Sequence, residues 1–228
     1  MSTENRQLVV FLGAPGSGKG SLARSCVDEL GWVQLSTGDL CRKHLAEKTP
    51  IGQQIDFAMK SGTLVSDDLI IDMVVEWLSG QQDHGKTIIF DGFPRTVVQA
   101  QKFFEIIKHR FPRLAVHIVE LVVPDEEIIQ RLSSRVICSN NACQRIYSAR
   151  DPRLQPKVEG ICDVCGSVLI RRADDNSQTV KNRLLIYHKH ASELKTICRQ
   201  EGFNVEEVNG QKPTHEIFEN FIKKYGRV

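Results

Sequence analysis

The stretch "LVVFLGAPGSGKG", residues 8–20, limits what this chain can fold into more than any other. Five apolar residues, 8–12, read as a short buried strand that stops at a glycine. The next residues fit G-x-x-x-x-G-K at Gly13, Gly18 and Lys19. Leu22, Cys26 and Leu30 then recur at helical spacing up to Gly31, a natural helix stop. A strand, a glycine-rich loop and a helix in that order make a phosphate-binding turn. Consecutive backbone N–H groups and the helix N-terminus form the cradle. Its expected members are Gly13, Ala14, Pro15, Gly16, Ser17 and Gly18, with Lys19 reaching the terminal phosphates. The generic motif places Ser or Thr directly after the lysine to hold Mg²⁺. Here Gly20 intervenes and the hydroxyl is on Ser21. The loop is therefore not expected to hold magnesium in the usual way.

The rest of the chain alternates between strand and helix patterns. "WVQLS" (32–36), "KTIIFDGF" (86–93), "LAVHIVELVV" (114–123) and "FNVEEV" (203–208) read as strands. Helices are expected over 19–30, 37–47, 51–62, 67–80, 96–110, 125–136, 176–200 and 213–224. Alternation of this kind predicts an α/β fold, a parallel sheet covered by helices on both faces. Between 137 and 175 the period is lost and glycine, proline and cysteine take over. This span reads as an inserted small domain. The core is then 1–136 plus 176–228, with a helical segment at 37–80.

Composition narrows the function. The 228 residues carry 30 basic and 28 acidic side chains, a net charge of +2. That balance does not suit nucleic-acid binding through bulk charge. No apolar run approaches the ~20 residues of a membrane span, and the first residues are polar. A soluble, cytoplasmic protein without a membrane partner is expected. The cysteine count is seven, odd for a disulfide framework. Four of the seven form Cys138-x₄-Cys143 and Cys162-x₂-Cys165, two close pairs that can converge on one tetrahedral ion. Thiolate ligands favour zinc or iron over hard cations, and a zinc with four filled positions would be structural; four unrelated thiols or a disulfide pair are the other reading. So small an insert has too little core to fold firmly alone, and metal binding would supply the missing folding free energy.

Further motifs are "LSTGDLCR" (35–42), "SGTLVSDDLI" (61–70), "FDGFPRTVVQA" (90–100), "PKVEGICDVCG" (156–166) and "RADDNSQTVKNRL" (172–184). Together with "GAPGSGKG" they resemble the successive signatures of adenylate kinases of the long-lid type, from Leu8 to about Pro213. The resemblance implies Mg²⁺-dependent transfer of a phosphoryl group from ATP to AMP, giving two ADP, by a monomer. It also implies roles for individual residues. Arg42 and Arg95 grip the acceptor phosphate, while Arg131, Arg135, Arg172 and Arg183 close over the donor phosphates and the transferred group. Arg172 and Arg183 reach the acceptor as well. Arg131 and Arg135, four apart, are expected on one helix face. Planar, permanently charged guanidinium groups suit the task. Asp91, at the end of a strand, holds Mg²⁺ through water, or else caps a helix. Thr37 and Gln99 match the adenine-reading positions, although Thr37 can also cap the helix that follows. Leu64, Val65 and Gly92 complete the acceptor pocket. Tyr147 and Lys212 fall on the donor side, and Ser148 stands where the family often has histidine. Asp174 and Asp175 match the lid-hinge pair.

The sequence departs from the family in its first cysteine pair, which commonly has x₂ spacing, and in a longer segment before "PKVEG". Other readings are a uridylate/cytidylate-type kinase, a plain ATPase, and a nucleic-acid-binding zinc module attached to a nucleotide switch. Thr37, Gln99 and the long lid speak against the first. A plain ATPase leaves "STGD" and "DGFPR" unexplained. Balanced charge and few aromatics speak against the last.

Overall fold

The computed structural model describes residues 6–81, 86–140 and 143–226. The chain opens with strand β1 (Gln7–Leu12), followed by helix α1 (Lys19–Leu30). Helix α1 ends at Gly31 in the left-handed conformation that glycine adopts without strain. Strand β2 (Val33–Ser36) leads into helix α2 (Thr37–Ala46). Ser36 caps α2 by accepting from the Asp39 amide at 3.2 Å. The cap is thus Ser36, and Thr37 sits inside the first turn with its hydroxyl donating to Gly92 O at 2.9 Å. Helices α3 (Pro50–Ser61) and α4 (Asp67–Ser79) complete the helical segment. Strand β3 (Ile88–Asp91), helix α5 (Val97–Arg110) and strand β4 (Ala115–Val122) follow.

Helix α6 spans Asp125–Ser134, with three acidic residues in its first turn, where the helix dipole favours them. The expected helix to 136 is cut short. Arg135 takes extended angles (φ −72°, ψ 132°) and begins strand β5 (Arg135–Cys138). Ser133 and Ser134 both turn their hydroxyls back to Gln130 O, at 2.9 and 3.1 Å, which competes with helix continuation. Val136 and Ile137 then favour a strand. Arg131 and Arg135 are therefore not on one helix face. In the insert, β5 pairs antiparallel with β6 (Ile146–Ser148) and β7 (Leu169–Ile170). Helix α7 (Ser177–Gln200) returns the chain to the core, capped by Asn176. Strand β8 (Val205–Asn209) and helix α8 (Thr214–Tyr225) end the fold.

The main sheet is parallel, in the order β2-β3-β1-β4-β8. Its central strand shows why. Leu8, Val10 and Leu12 pack on one face with α4, α5 and α7, while Val9 and Phe11 pack on the other with α1 and α8. Burial on both faces is the condition under which parallel sheets occur. The strand ends carrying Leu12 and Asp91 open on the same edge, where ligands meet such sheets.

Helix α3 is tied to α7 across this edge. Thr179 Oγ1 donates to Lys60 O and Asn182 Nδ2 to Ser61 O, each at 3.1 Å. Gly62 ends α3 at φ +74°, and a Cβ there would lie 2.8 Å from Thr179 O. Gly62→Ala is expected to cost about 1–3 kcal/mol from backbone strain and the clash. Urea denaturation of variant and parent measures this directly.

Candidate active site

The loop between β1 and α1 holds an open anion cradle. Gly18, at φ 102°, precedes α1 and provides no side-chain cap, so the first helical N–H groups face the cleft. Gly13 is required by space, because a Cβ there would come within 2.5 Å of Leu121 O. Lys19 bends back over the loop, its Nζ donating to Gly13 O and Ala14 O at 2.8 Å each. Burial depresses its pKa to about 8, with Asp91 opposing and the cations Arg95, Arg183 and Arg135 adding to the depression.

Asp91, at the end of β3, approaches the same helix start. Its Oδ2 is 3.2 Å from where a Cβ on Gly20 would be. The missing side chain at Gly20 thus leaves room beside a carboxylate, with Ser21 on the same cleft wall. Burial pushes the Asp91 pKa up, and Lys19 counters it. One carboxylate with open space beside it suits a divalent cation that keeps most of its waters.

Five arginines surround the space above Lys19. Arg135 reaches across the hinge to Asp175 in a bidentate pair, at 2.8 and 2.5 Å. Arg183, on α7, donates to Asp174 Oδ2 at 3.0 Å and lies 3.7 Å from Asp175. Arg42 pairs with Asp39 one turn earlier on α2. Arg172, from the far side of the insert, approaches the same Asp39 oxygen at 3.8 Å. Arg95 Nε donates to Gly92 O at 2.7 Å. Burial lowers the pKa of Arg172 and of Arg183 to about 10; Arg42 and Arg135 add to the effect at Arg172, while Asp174 opposes it at Arg183. Among the described residues, Arg42 Nε and Arg172 Nε are buried donors without a hydrogen-bond partner. Unpaired buried donors are costly, and an anion would satisfy them. Arg131 stands to one side, bound to Glu127 at 3.1 Å and to Gly210 O at 2.9 Å.

Lys19, Asp91, Asp39, Asp174 and the arginines line one cleft of about 870 Å³, with Asp175 buried behind its wall. Of the residues the sequence pointed to, Ala14, Thr37, Val65, Gln99 and Asp175 lie outside its wall, as do the four cysteines. Val65 lines a smaller neighbouring pocket with Leu64. Gln99 is buried, its Oε1 accepting from Arg95 N at 2.7 Å and its Nε2 donating to Asp67 Oδ1 at 2.8 Å. Tyr147 touches the cleft, but its hydroxyl donates to Cys162 Sγ at 3.4 Å and accepts from Asp163 N at 2.8 Å. Asp39 and Asp67 were missed by the sequence reading. Asp39 was legible in principle, three residues before Arg42 on one helix. Asp67 was not, since its partner is 32 residues away.

The four cysteines meet despite the long first spacing. Their sulfurs all lie within 4.8 Å of one another, with Cys138 and Cys165 at 3.3 Å and Cys143 and Cys162 at 3.7 Å. Four thiolates about 2.3 Å from one zinc ion would be separated by similar distances. In the first knuckle Cys143 N and Gln144 N both donate to Asn140 O, at 3.0 and 2.9 Å. In the second, Gly166 N donates to Cys162 O at 2.9 Å.

A family model for adenylate kinase matches residues 11–202. The chain belongs to the adenylate kinase family. It is 42% identical over 192 residues to a protein named adenylate kinase from Trichlorobacter lovleyi, covering 84% of this chain and 86% of that one. A Clostridium botulinum adenylate kinase is 37% identical over 220 residues, covering 96% and 98%. One from Paracoccus denitrificans is 38% identical over 221 residues, covering 96% and 97%. The family's parallel sheet and phosphate loop coincide with the elements described above.

The depressed pKa of Lys19 has a measurable consequence. A polyanion in the cradle favours the charged ammonium and raises that pKa. Binding should therefore take up protons above pH about 8, and affinity should fall as pH rises past that point. Calorimetry of ATP binding at pH 8.5 in two buffers of different ionisation enthalpy reads the uptake. Lys19→Met is expected to abolish it.

Proposed function

We propose that the protein catalyses reversible phosphoryl transfer from ATP to AMP, giving two ADP, with Mg²⁺. The observation that carries this reading is the convergence of Lys19 and five arginines on one cleft, between a phosphate cradle and a second helical segment. Phosphoryl transfer needs positioning and charge neutralisation more than a covalent nucleophile. The acceptor phosphate is already an anion, so no general base is required. In this reading the loop from Gly13 to Ser21 holds the donor phosphates, and Arg42 and Arg95 hold the acceptor. Arg135, Arg172 and Arg183 bear on the group in flight, and Arg131 and Lys212 border the donor. Asp91 would hold a magnesium ion through its waters, and the ion would supply charge neutralisation at the phosphates.

Base choice falls to the acceptor pocket around Leu64, Val65, Gly92, Thr37 and Gln99. The carboxamide of Gln99 uses one lone pair and one N–H on protein partners. The second lone pair and second N–H of this buried side chain would meet an adenine edge only where the base reaches past the cleft wall. A panel of Mg-ATP with AMP, GMP, CMP, UMP and dTMP tests this. Diphosphate from AMP alone is expected, and preference for CMP or UMP would overturn the assignment of the pocket. Arg95→Ala should reduce kcat by about 10²-fold with little change in stability, which turnover and thermal melting measure together.

The Cys138, Cys143, Cys162 and Cys165 set holds a structural zinc ion in this reading, and residues 137–175 act as a lid. Closure excludes water, so the donor is not hydrolysed. Tyr147 braces the metal site through its bond to Cys162 rather than contacting a nucleotide. The enzyme works as a cytoplasmic monomer. Chelation should strip hydrogen-exchange protection from lid amides while the parallel sheet keeps its own. Equal protection with and without metal would refute the structural role.

A further inference from the structure

The first cysteine knuckle does more than present two ligands, for it rests on the helix that begins at the phosphate cradle. Arg24 Nη2, on α1, donates to the carbonyl of Cys143 at 2.7 Å. One turn further along α1, Asp28 accepts from Arg145 at 2.5 Å. Ile146 then closes over the start of the helix, its Cδ1 3.8 Å from where a Cβ on Gly20 would be. Arg24 and Asp28 are four residues apart and share one face of α1. Cys143, Arg145 and Ile146 are consecutive or nearly so on the insert. The result is a line of contacts from Gly20, the residue after the phosphate-reaching lysine, to the second ligand of the cysteine set. Arg24 and Arg145 also line the cleft.

We propose that Arg24 and Asp28 are positioning residues that latch the cysteine knuckle onto the phosphate-loop helix, so that donor binding and metal retention reinforce each other. The inference rests on the reading of the insert as a zinc-holding lid over the donor. Two ligands that favour the same closed arrangement must each increase the other's affinity by the same factor. The Asp28–Arg145 pair is 41% exposed on both sides and contributes modestly. The bond from Arg24 to a main-chain carbonyl is partly buried and charge-assisted, hence the stronger of the two.

Arg24→Ala with Asp28→Asn tests the latch, in the full-length, zinc-loaded protein. The KM for ATP should rise about fivefold, with the KM for AMP unchanged within twofold and kcat not reduced. In the parent, zinc release to a chromogenic chelator should slow when a non-hydrolysable ATP analogue is added. In the variant that protection should vanish. An independent check comes from the lid side. Arg145→Ala should raise the KM for ATP by itself, and the exchange of Asp28→Arg with Arg145→Asp should restore it, which a general packing defect would not permit. A parent-like KM for ATP in Arg24→Ala/Asp28→Asn, or a raised KM with kcat falling alongside it, would overturn the latch. A parent protein purified without zinc would remove the metal reading, and the two KM comparisons would then decide the latch alone.

Discussion

The structure depends on holding like charges close together. Lys19, Arg42, Arg95, Arg135, Arg172 and Arg183 all face one cleft. Two unit charges 4 Å apart interact by about 4 kcal/mol at an effective dielectric near 20, so such a cluster would disperse if left alone. Asp39, Asp91, Asp174 and Asp175 keep it together. Each carboxylate is placed to serve more than one cation. Asp39 stands between Arg42 and Arg172, and Asp175 between Arg135 and Arg183. Compensation stays incomplete, with two buried guanidinium donors unpaired. An anionic ligand finishes what the protein leaves undone, and this is how a folded scaffold stores affinity for phosphate.

These pairs also set the mechanics. Asp174 and Asp175 lie where the insert rejoins the core, and Arg172 reaches from that junction to the helical segment. Helix α7 begins at the junction, carries Arg183, and is hydrogen-bonded to the end of α3. The insert, the helical segment and the core therefore share one small set of side chains. Among the described residues of the insert, the buried cluster is Cys138, Tyr147 and Cys162. A thiolate-bound ion suits it because so few apolar groups cannot hold three short strands together. The contacts of Cys143 and Arg145 with α1 give the insert a second point of support besides its junction with the core.

Much of this was legible from local pattern. The sheet strands and the core helices fall where apolar periodicity, glycine stops and capping residues put them. The phosphate loop could be read outright because its chemistry is concentrated in consecutive residues. The cysteine set was legible too, although its x₄ spacing departs from the commoner form, because Asn140 closes the turn and the sulfurs still meet. Helix α6 was read two residues too long. Ser133 and Ser134 divert their hydroxyls to the backbone, and an apolar pattern does not register that competition.

By itself the sequence determined the kinds of chemistry present: a glycine-rich loop with its lysine, a set of arginines at motif positions, four cysteines in two close pairs, and a strand–helix alternation that demands a parallel sheet. These are properties of short stretches, where period and composition act over a few residues. The tertiary structure alone decided which charges answer which. Arg172 shares a carboxylate with Arg42, Gln99 turns to Asp67, Tyr147 faces the cysteines rather than the cleft, and Arg24 reaches Cys143. Such partners lie tens of residues apart along the chain. Electrostatics and hydrogen bonding act through space, and only packing brings the two ends of each pair within reach.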